Sequence, residues 1–240
     1  MNKLGYISLA GFICFFVLVG SSIAQQRVVE KSFSINNSES VDLNLKFGEA
    51  ITVKAWDKNE VSFRAIIEIN SGKLNDALVL NFNETEHGLA ILADYDKKLI
   101  KEGRKEDCPS KHYSTYSIDD NRNHTVICSN IMYEIYVPRS IDLNVESISA
   151  DIVLLGLQGP IHAKTISGFV DLSWPQRQGA KLSMKTISGE VYSGLDNLAM
   201  NNRKGGVPLV GYELQGSIGS GGPSINLESI SGNIYLRKWE

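Results

Sequence analysis

Hydrophobic residues occupy every second position through much of the first third of the chain. Alternation of this kind indicates strands that bury one face and expose the other. The alternating positions are Val41, Leu43, Leu45, Ile51, Val53, Val61, Phe63, Ala65, Ile67 and Ile69. Two more strands are predicted at 78–82 and 89–93, and only residues 71–77 could form a helical turn. Because no amphipathic helix of useful length occurs, the pattern predicts an all-β fold.

A short phrase, Ser/Thr-Ile-Ser followed by Gly or Ala, recurs four times in the second half of the chain. Its central residues are Ile148, Ile166, Ile187 and Ile230, which places successive copies 18, 21 and 43 residues apart. Strand-like sequence repeating at a period of about 20 residues is typical of stacked β-architectures. We therefore predict a right- or left-handed β-solenoid, similar to a single-stranded β-helix, with residues 131–240 forming its repeating rungs.

The repeat also predicts how each rung is built. The expected inward residues are Leu143, Val145, Ile152, Leu154, Ile161, Ala163, Val170, Leu172, Leu182, Met184, Val191, Ile225, Leu227, Ile234 and Leu236. We expect each glycine to adopt a corner conformation that a Cβ would resist. The expected column of stacked hydroxyls is Ser149, Ser167, Ser188 and Ser231, about 4.8 Å apart. Stacking in chain order would place Lys164 beside Lys185, an unfavourable pair, and would make the last copy the C-terminal edge.

Residues 96–128 have a different character, since charged residues of both signs replace the alternating pattern. We interpret this segment as an insertion that leaves the solenoid and returns to it. Cys108 and Cys128 flank most of it, and an isolated cysteine pair in an exported chain favours a disulfide. The competing interpretation is a zinc site that adds His112 and His124. The ligand spacing lacks a CxxC pair, so the disulfide is favoured and no metal is predicted.

The N-terminus has the features of an export signal. Lys3 precedes the apolar run 7–19, and Ser22-Ile23-Ala24 places small residues where a signal peptidase cleaves, so residues 1–24 are predicted to be a signal peptide. The apolar run is short for a bilayer span, and no second one follows. Removing Lys3 leaves 23 of the 24 basic residues against 27 acidic ones, a net charge of −4. This mild acidity argues against nucleic acid as a partner.

No catalytic motif is recognisable, and neither a catalytic residue nor a cofactor is predicted. The residues that we single out for ligand binding are Lys111, Tyr113 and Tyr116 in the insertion and Trp174 in the repeat. Long loops on rigid scaffolds often bind ligands, although a solvated insertion with incidental tyrosines is the simpler interpretation. A β-helix polysaccharide lyase would need clustered acids. The two candidates for such a cluster, Asp151 and Glu190, are interrupted by Phe169.

Several phrases resemble the putative adhesin family of bacterial exported domains, whose function is unknown. They are residues 47–53 with Trp56-Asp57, Tyr136-Val137-Pro138, the Ile-Ser-Gly copies, and residues 221–223 with 231–238. The resemblance covers nearly all of residues 25–240, and its phrases are turns and strands rather than reactive groups. It implies an exported β-solenoid with no established catalytic or ligand residues.

We therefore expect a single β-solenoid domain over 25–240, comprising N-terminal strands at 27–95, the insertion at 96–128 and the rungs from 131. The expected function is a non-catalytic adhesin-like binding protein of the bacterial envelope, periplasmic or at the cell surface. Its expected partner is a glycan or a surface protein. The alternatives are an envelope scaffold with a protein partner and, third, a polysaccharide lyase.

Overall fold

The computed structural model describes residues 26–36, 38–108, 114–117, 124–200 and 213–239, with the backbone alone for 114–117 and 124. Its strands are β1 (Arg27–Ser34), β2 (Ser40–Leu45), β3 (Ala50–Trp56), β4 (Glu60–Ile69), β5 (Leu78–Thr85), β6 (Gly88–Tyr95), β7 (Ser114–Ser117), β8 (His124–Ile127), β9 (Ser129–Pro138), β10 (Asp142–Ser147), β11 (Asp151–Leu155), β12 (Ile161–Thr165), β13 (Val170–Pro175), β14 (Ala180–Thr186), β15 (Val191–Ser193), β16 (Leu198–Met200), β17 (Glu213–Ile218), β18 (Ser224–Ser229) and β19 (Ile234–Trp239). Short 3-10 turns lie at Asn75–Ala77, Leu99–Glu102 and Lys105–Asp107. The all-β prediction is confirmed.

Two large sheets contain all strands except β7 and β8, which pair with each other. Sheet A has the order β1-β4-β9-β3-β11-β13-β19-β15, and sheet B has the order β16-β17-β14-β18-β12-β10-β2-β6-β5. Both sheets combine parallel and antiparallel pairs, and neither closes on itself within the described residues. The solenoid therefore stays a prediction, whereas two mixed sheets are what the structure shows.

The alternating pattern lies where the sequence predicts it. The inward side chains of the two sheets pack on each other in one hydrophobic core, and every predicted inward residue of the repeat is buried except Val191, which is half-buried. Successive strand residues point to opposite faces, so this pattern also turns the intervening polar residues outward.

Five strand pairs have the same construction, in which a strand of sheet B leads through a tight corner into a strand of sheet A. We call each pair a rung. In space the rungs follow the order β2–β3, β10–β11, β12–β13, β18–β19, β14–β15, and all neighbours are parallel. The fourth copy of the phrase, in β18–β19, thus lies between the second and third copies. The expectation that the last copy forms an edge is wrong, because β19 pairs with both β13 and β15.

The hydroxyls buried at the corners are not the expected ones. The predicted column, Ser149, Ser167, Ser188 and Ser231, is exposed to solvent. The buried column consists of the preceding Ser/Thr of each copy: Ser147, Thr165, Ser229 and Thr186. Each of these donates a hydrogen bond of 2.8–2.9 Å to a carbonyl of the neighbouring rung. The alternation explains the correction, because Leu143, Val145 and Ser147 point to the same side.

The glycines of the phrase serve close packing rather than an unusual backbone conformation. Gly168, Gly189 and Gly232 do not have positive φ angles, contrary to expectation. A Cβ on Gly232 would lie 2.0 Å from the carbonyl oxygen of Gly168, and one on Gly168 would lie 2.2 Å from that of Ala150. These positions therefore exclude side chains because one corner rests directly on the next.

The insertion occupies the position of a corner. β6 is parallel to β2 in sheet B, and β9 is parallel to β3 in sheet A, so residues 96–128 connect two strands that would otherwise form a further rung. The predicted disulfide is present, with the Cα atoms of Cys108 and Cys128 5.6 Å apart.

Candidate functional site

The four residues predicted from the sequence to bind a ligand do not form one site among the described residues. Lys111 and Tyr113 lie outside the described residues. Tyr116 lies on β7, where the structure describes the backbone only. Trp174 is fully buried, and its indole N–H donates to the carbonyl of Gln178 at 3.0 Å. A surface ligand cannot reach this ring, so Trp174 is a core residue, as its alternation with Val170 and Leu172 would have indicated.

The neck of the insertion is fixed to the body by Asn70, a residue that sequence reasoning missed. The Asn70 side chain is fully buried, and its φ of 48° is rare for a residue with a Cβ. Its amide nitrogen donates to the carbonyl of Val126 at 3.0 Å, and its oxygen accepts from the N–H of Cys128 at 3.1 Å. Together with the disulfide, these bonds fix Val126, Cys128 and Cys108 next to the end of β4.

A cluster of aromatic and charged side chains lies on the outer face of sheet A, away from this neck and toward the other ends of β4 and β9. Its members come from three adjacent strands, β3, β4 and β9, and we call it the Tyr136 face: Lys54, Trp56, Arg64, Glu134 and Tyr136. The register places Lys54 opposite Tyr136 across one strand pair and Arg64 opposite Glu134 across the next. Because β3 and β9 are parallel and joined through the insertion, their pairing is a long-range feature of the fold.

Ion pairs and hydrogen bonds fix the geometry of this face. Glu134 accepts from the Lys54 ammonium at 2.7 Å and from the Tyr136 hydroxyl at 3.0 Å. Arg64 pairs with Glu30 at 3.0 Å. The hydrogen bond to Glu134 raises the pKa of Lys54, and the hydrogen bonds from Lys54 and Tyr136 lower the pKa of Glu134. Both groups therefore keep their charges over the neutral pH range.

Trp56 extends the face toward the end of β3. Its indole N–H donates to the carbonyl of Glu60 at 2.8 Å, and its ring lies 5.3 Å from that of Tyr136. The ammonium of Lys58, an exposed residue, lies 4.4 Å from the Trp56 ring centre. The indole is thus anchored through its polar edge while its π-surface lies beneath a displaceable side chain.

Two shallow cavities lie on the two sides of the Arg64 and Glu134 row. One has a volume of about 400 Å³, and its lining includes Glu30, Ser32, Ser62, Arg64, Glu134 and Tyr136. The other has a volume of about 250 Å³, and its lining includes Thr52, Lys54, Arg64, Ile66, Met132 and Glu134. Arg64 and Glu134 border both, so one ligand could contact the two cavities across this row.

The chemistry of the face is that of recognition. It presents hydrogen-bond donors of Lys and Arg, a carboxylate acceptor, a phenol and aromatic surface on a rigid sheet. Among the described residues, no three His, Cys, Asp or Glu side chains cluster as metal ligands.

The two acids considered for a polysaccharide lyase, Asp151 and Glu190, do not lie side by side. In the register of the rungs, Phe169 and Asn233 both lie between them, which places the two acids roughly 14 Å apart at about 4.8 Å per strand.

Two residues of the Tyr136 face are visible in the sequence as parts of recognisable phrases. Trp56 and Tyr136 both belong to the phrases of the family resemblance, and they lie on the alternating strands β3 and β9. Their proximity depends on the pairing of β3 with β9. At the opposite end of sheet A, Tyr192 and Tyr235 also stack, with ring centres 5.3 Å apart.

Comparisons with known proteins support the fold rather than an activity. The chain matches no known family and no curated protein sequence. Its structure is similar to that of the putative cell adhesion protein from Clostridium sporogenes ATCC 15579, with a TM-score of 0.51 and 12% identity over 89% of this chain and 100% of that one. The putative adhesin from Bacteroides fragilis NCTC 9343 has a TM-score of 0.31 and 8% identity over 88% and 97%. The first similarity supports an adhesin-like fold. The second has too low a TM-score to support a conclusion about the fold.

The part of the chain that the structure describes has no helix of sufficient length and hydrophobicity to cross a membrane. The disulfide is typical of oxidising compartments outside the cytosol.

Proposed function

We propose that this chain is an exported, non-catalytic, adhesin-like binding protein of the bacterial cell envelope, and that its fold is a β-solenoid. The observation that supports a binding role most strongly is the Tyr136 face, where half-buried aromatic rings and charged groups converge on a rigid sheet. The similarity of the fold to the Clostridium sporogenes protein is consistent with this role.

The ligand we propose is a glycan or a surface protein that lies across the Tyr136 face. A sugar ring has an apolar C–H face that packs on an aromatic ring and hydroxyls that exchange hydrogen bonds with charged side chains. Glu134 offers a carboxylate fixed by two donors, and Arg64 spans both cavities. A surface protein would use the same groups, since interface centres are rich in Tyr, Trp and Arg.

The insertion is the second candidate location, because its sequence contains Lys111, Tyr113 and Tyr116. The neck lies where Ile69 pairs with Ser129, whereas Tyr136 pairs with Ser62 toward the other ends of β4 and β9. A ligand on the Tyr136 face and one at the neck would therefore occupy separate regions of sheet A. The two locations are distinguished by substitution rather than by deleting the loop, since Ile100 and Ile127 near its ends are buried in the core.

The test is a screen of residues 25–240 against immobilised glycans and extracellular-matrix proteins, because every described strand lies after residue 26. The first variant, Trp56→Ala with Tyr136→Ala, removes the aromatic surface of the Tyr136 face. The second combines Lys111→Ala, Tyr113→Ala and Tyr116→Ala. We expect the wild type to bind a ligand that the first variant no longer binds. Loss in the second variant alone would move the site to the insertion. A folded protein that binds nothing would contradict the soluble-ligand function and favour an envelope partner, found by crosslinking in cells.

A further inference from the structure

Charges alternate along one line on the outer face of sheet B, perpendicular to its strands. In spatial order the line is Glu146 on β10, Lys164 on β12, Glu228 on β18 and Lys185 on β14, and we call it the charge column. The alternation exists only because the fourth copy lies between the second and third. Within the column, Lys164 and Glu228 are 3.9 Å apart.

A line of isoleucines runs beside the charge column, two residues further along each strand. It consists of Ile148, Ile166, Ile230 and Ile187, and we call it the isoleucine column. Backbone hydrogen bonds of 2.9 Å fix its register, from Ser167 to Ile148, from Ser231 to Ile166 and from Ser188 to Ile230. The four side chains are 36–43% exposed. A contiguous apolar line on adjacent rungs differs from scattered surface residues and is typical of an interaction surface.

A cavity of about 180 Å³ lies where the two columns meet, across β12, β18 and β14. Its lining includes Lys164, Lys185, Ile187, Glu228 and Ile230. The surface thus combines an apolar recess with charges of both signs at its edge, which is the composition of a protein interface core and rim.

We propose that these two columns form an isologous interface between two copies of this chain. In this dimer the two-fold axis runs parallel to the strands and passes between Lys164 and Glu228. The outer faces of sheet B in the two copies then face each other, and the rungs of one copy run in the opposite order to those of the other. Glu146 then faces Lys185 of the second copy, and Lys164 faces Glu228. All four facing pairs are of opposite sign, so the surface is electrostatically complementary to itself.

The same operation superposes the apolar lines. An axis along the strand direction leaves the position along each strand unchanged, so the isoleucine column meets the isoleucine column of the other copy. Ile148 faces Ile187, and Ile166 faces Ile230. An axis along the column would instead place like charges opposite each other and is unfavourable. The charge order therefore selects one of the two symmetric arrangements.

Two charges of the column, Glu146 and Lys185, have no ion pair with a Lys, Arg, Asp or Glu side chain among the described residues, although Glu213 of β17 lies opposite Lys185 in the strand register. Within the described residues, Lys185 has no acidic partner at ion-pair distance, and the nearest such contact of Glu146 is His162 at 4.0 Å. These are the two residues that the symmetry places opposite each other. The interface would also leave sheet A outward in both copies, so that a dimer presents two Tyr136 faces and binds multivalently.

The test measures the mass of residues 25–240 by sedimentation velocity over a concentration series. An acidic variant, Lys164→Glu with Lys185→Glu, turns all four facing pairs repulsive. A basic variant, Glu146→Lys with Glu228→Lys, does the same with the opposite sign. We expect a wild-type dimer, and each variant alone should dimerise at least about a hundredfold more weakly, because four attractive pairs become repulsive.

The most decisive experiment mixes the acidic and the basic variant. An equimolar mixture restores opposite charges at every facing position, so we expect a heterodimer to form. The matched control, Lys97→Glu with Lys98→Glu, makes the same charge change on exposed residues elsewhere and should leave the dimer intact. A wild type that stays monomeric at its solubility limit would overturn the proposal. So would a dimer that persists in both variants, or variants that fail to pair when mixed although each is folded by circular dichroism.

Discussion

The hydroxyl of Ser229 donates a hydrogen bond of 2.8 Å to the carbonyl oxygen of Gly168, a residue 61 positions earlier in the chain. This bond links the corner of the fourth copy of the repeat to that of the second. The same hydroxyl accepts from the N–H of Gly232 at 2.9 Å, so it connects two corners at once. It thereby fixes the place of the C-terminal copy inside the stack of rungs.

Removal of this hydroxyl should destabilise the fold. In Ser229→Ala a buried carbonyl and a partly buried N–H both lose their partner, and we expect the free energy of unfolding to fall by about 1–3 kcal/mol. The matched control is Ser231→Ala in the same corner, whose exposed side chain should matter by less than about 0.5 kcal/mol. Urea denaturation of the two variants measures both changes. Equal effects would mean that the buried hydroxyl is not a structural link.

The close contact between corners also predicts that adding a single methyl group at Gly232 lowers the stability of the fold. Gly232→Ala would place a Cβ 2.0 Å from the Gly168 carbonyl oxygen, so the two rungs would have to separate. We expect a loss of about 3 kcal/mol, as for an overpacked core. Gly194→Ala is the control, since a Cβ there meets no atom within 4 Å. A thermal denaturation midpoint for Gly232→Ala equal to that of the control would contradict the close packing of the corners.

Asn70 should contribute through both its side chain and its backbone. Asn70→Gly removes the hydrogen bonds to Val126 and Cys128 but tolerates the positive φ angle. Asn70→Ala removes the same bonds and adds about 1–2 kcal/mol of backbone strain. We therefore expect both to destabilise the neck, and Ala more than Gly. Hydrogen exchange of the amides in 124–128 measures this, and the reverse order would contradict the strained conformation.

The pH dependence of ligand binding should follow Glu134. Its pKa is lowered from the ordinary value of 4.5, so the carboxylate stays charged, and paired with Lys54, until the pH falls below that value. The stabilisation is present above the unfolded pKa and is lost as the pH falls through the lower folded one. Binding should thus be constant from pH 8 to about 5 and weaken below the ordinary pKa of glutamate. A loss of binding near pH 6.5 would indicate a histidine instead.

The sequence predicted the rungs better than their order. Alternation identified the inward residues because a strand has only two faces, and the cysteine pair predicted the disulfide. The order could not be read from hydrophobicity, since Leu227 and Met184 fit equally well beside Ala163. The charged residues on the outer face of sheet B do distinguish between the possible orders of the rungs. Glu228 between Lys164 and Lys185 removes the unfavourable contact that chain order implies, and this contact was itself a reason to doubt that order.

The candidate site was less predictable for a different reason. Trp56 and Tyr136 are 80 positions apart, and their proximity depends on the parallel pairing of β3 with β9 across the insertion. Local patterns do not encode such a pairing. An aromatic residue in a strand can face either side of the sheet, so the presence of Trp174 alone does not predict a binding residue. Its position in the series Val170, Leu172, Trp174 places it in the core.

The most direct test of the central claim is the dissociation constant of the strongest ligand from the screen, measured by calorimetry for wild type and two variants. For Trp56→Ala with Tyr136→Ala we predict at least a tenfold weaker affinity, equivalent to about 1.4 kcal/mol. The matched variant, Tyr192→Ala, removes an exposed tyrosine from the other end of the same sheet and should bind like wild type. Unchanged affinity in the first variant, or equal loss in both, would contradict a binding site on the Tyr136 face.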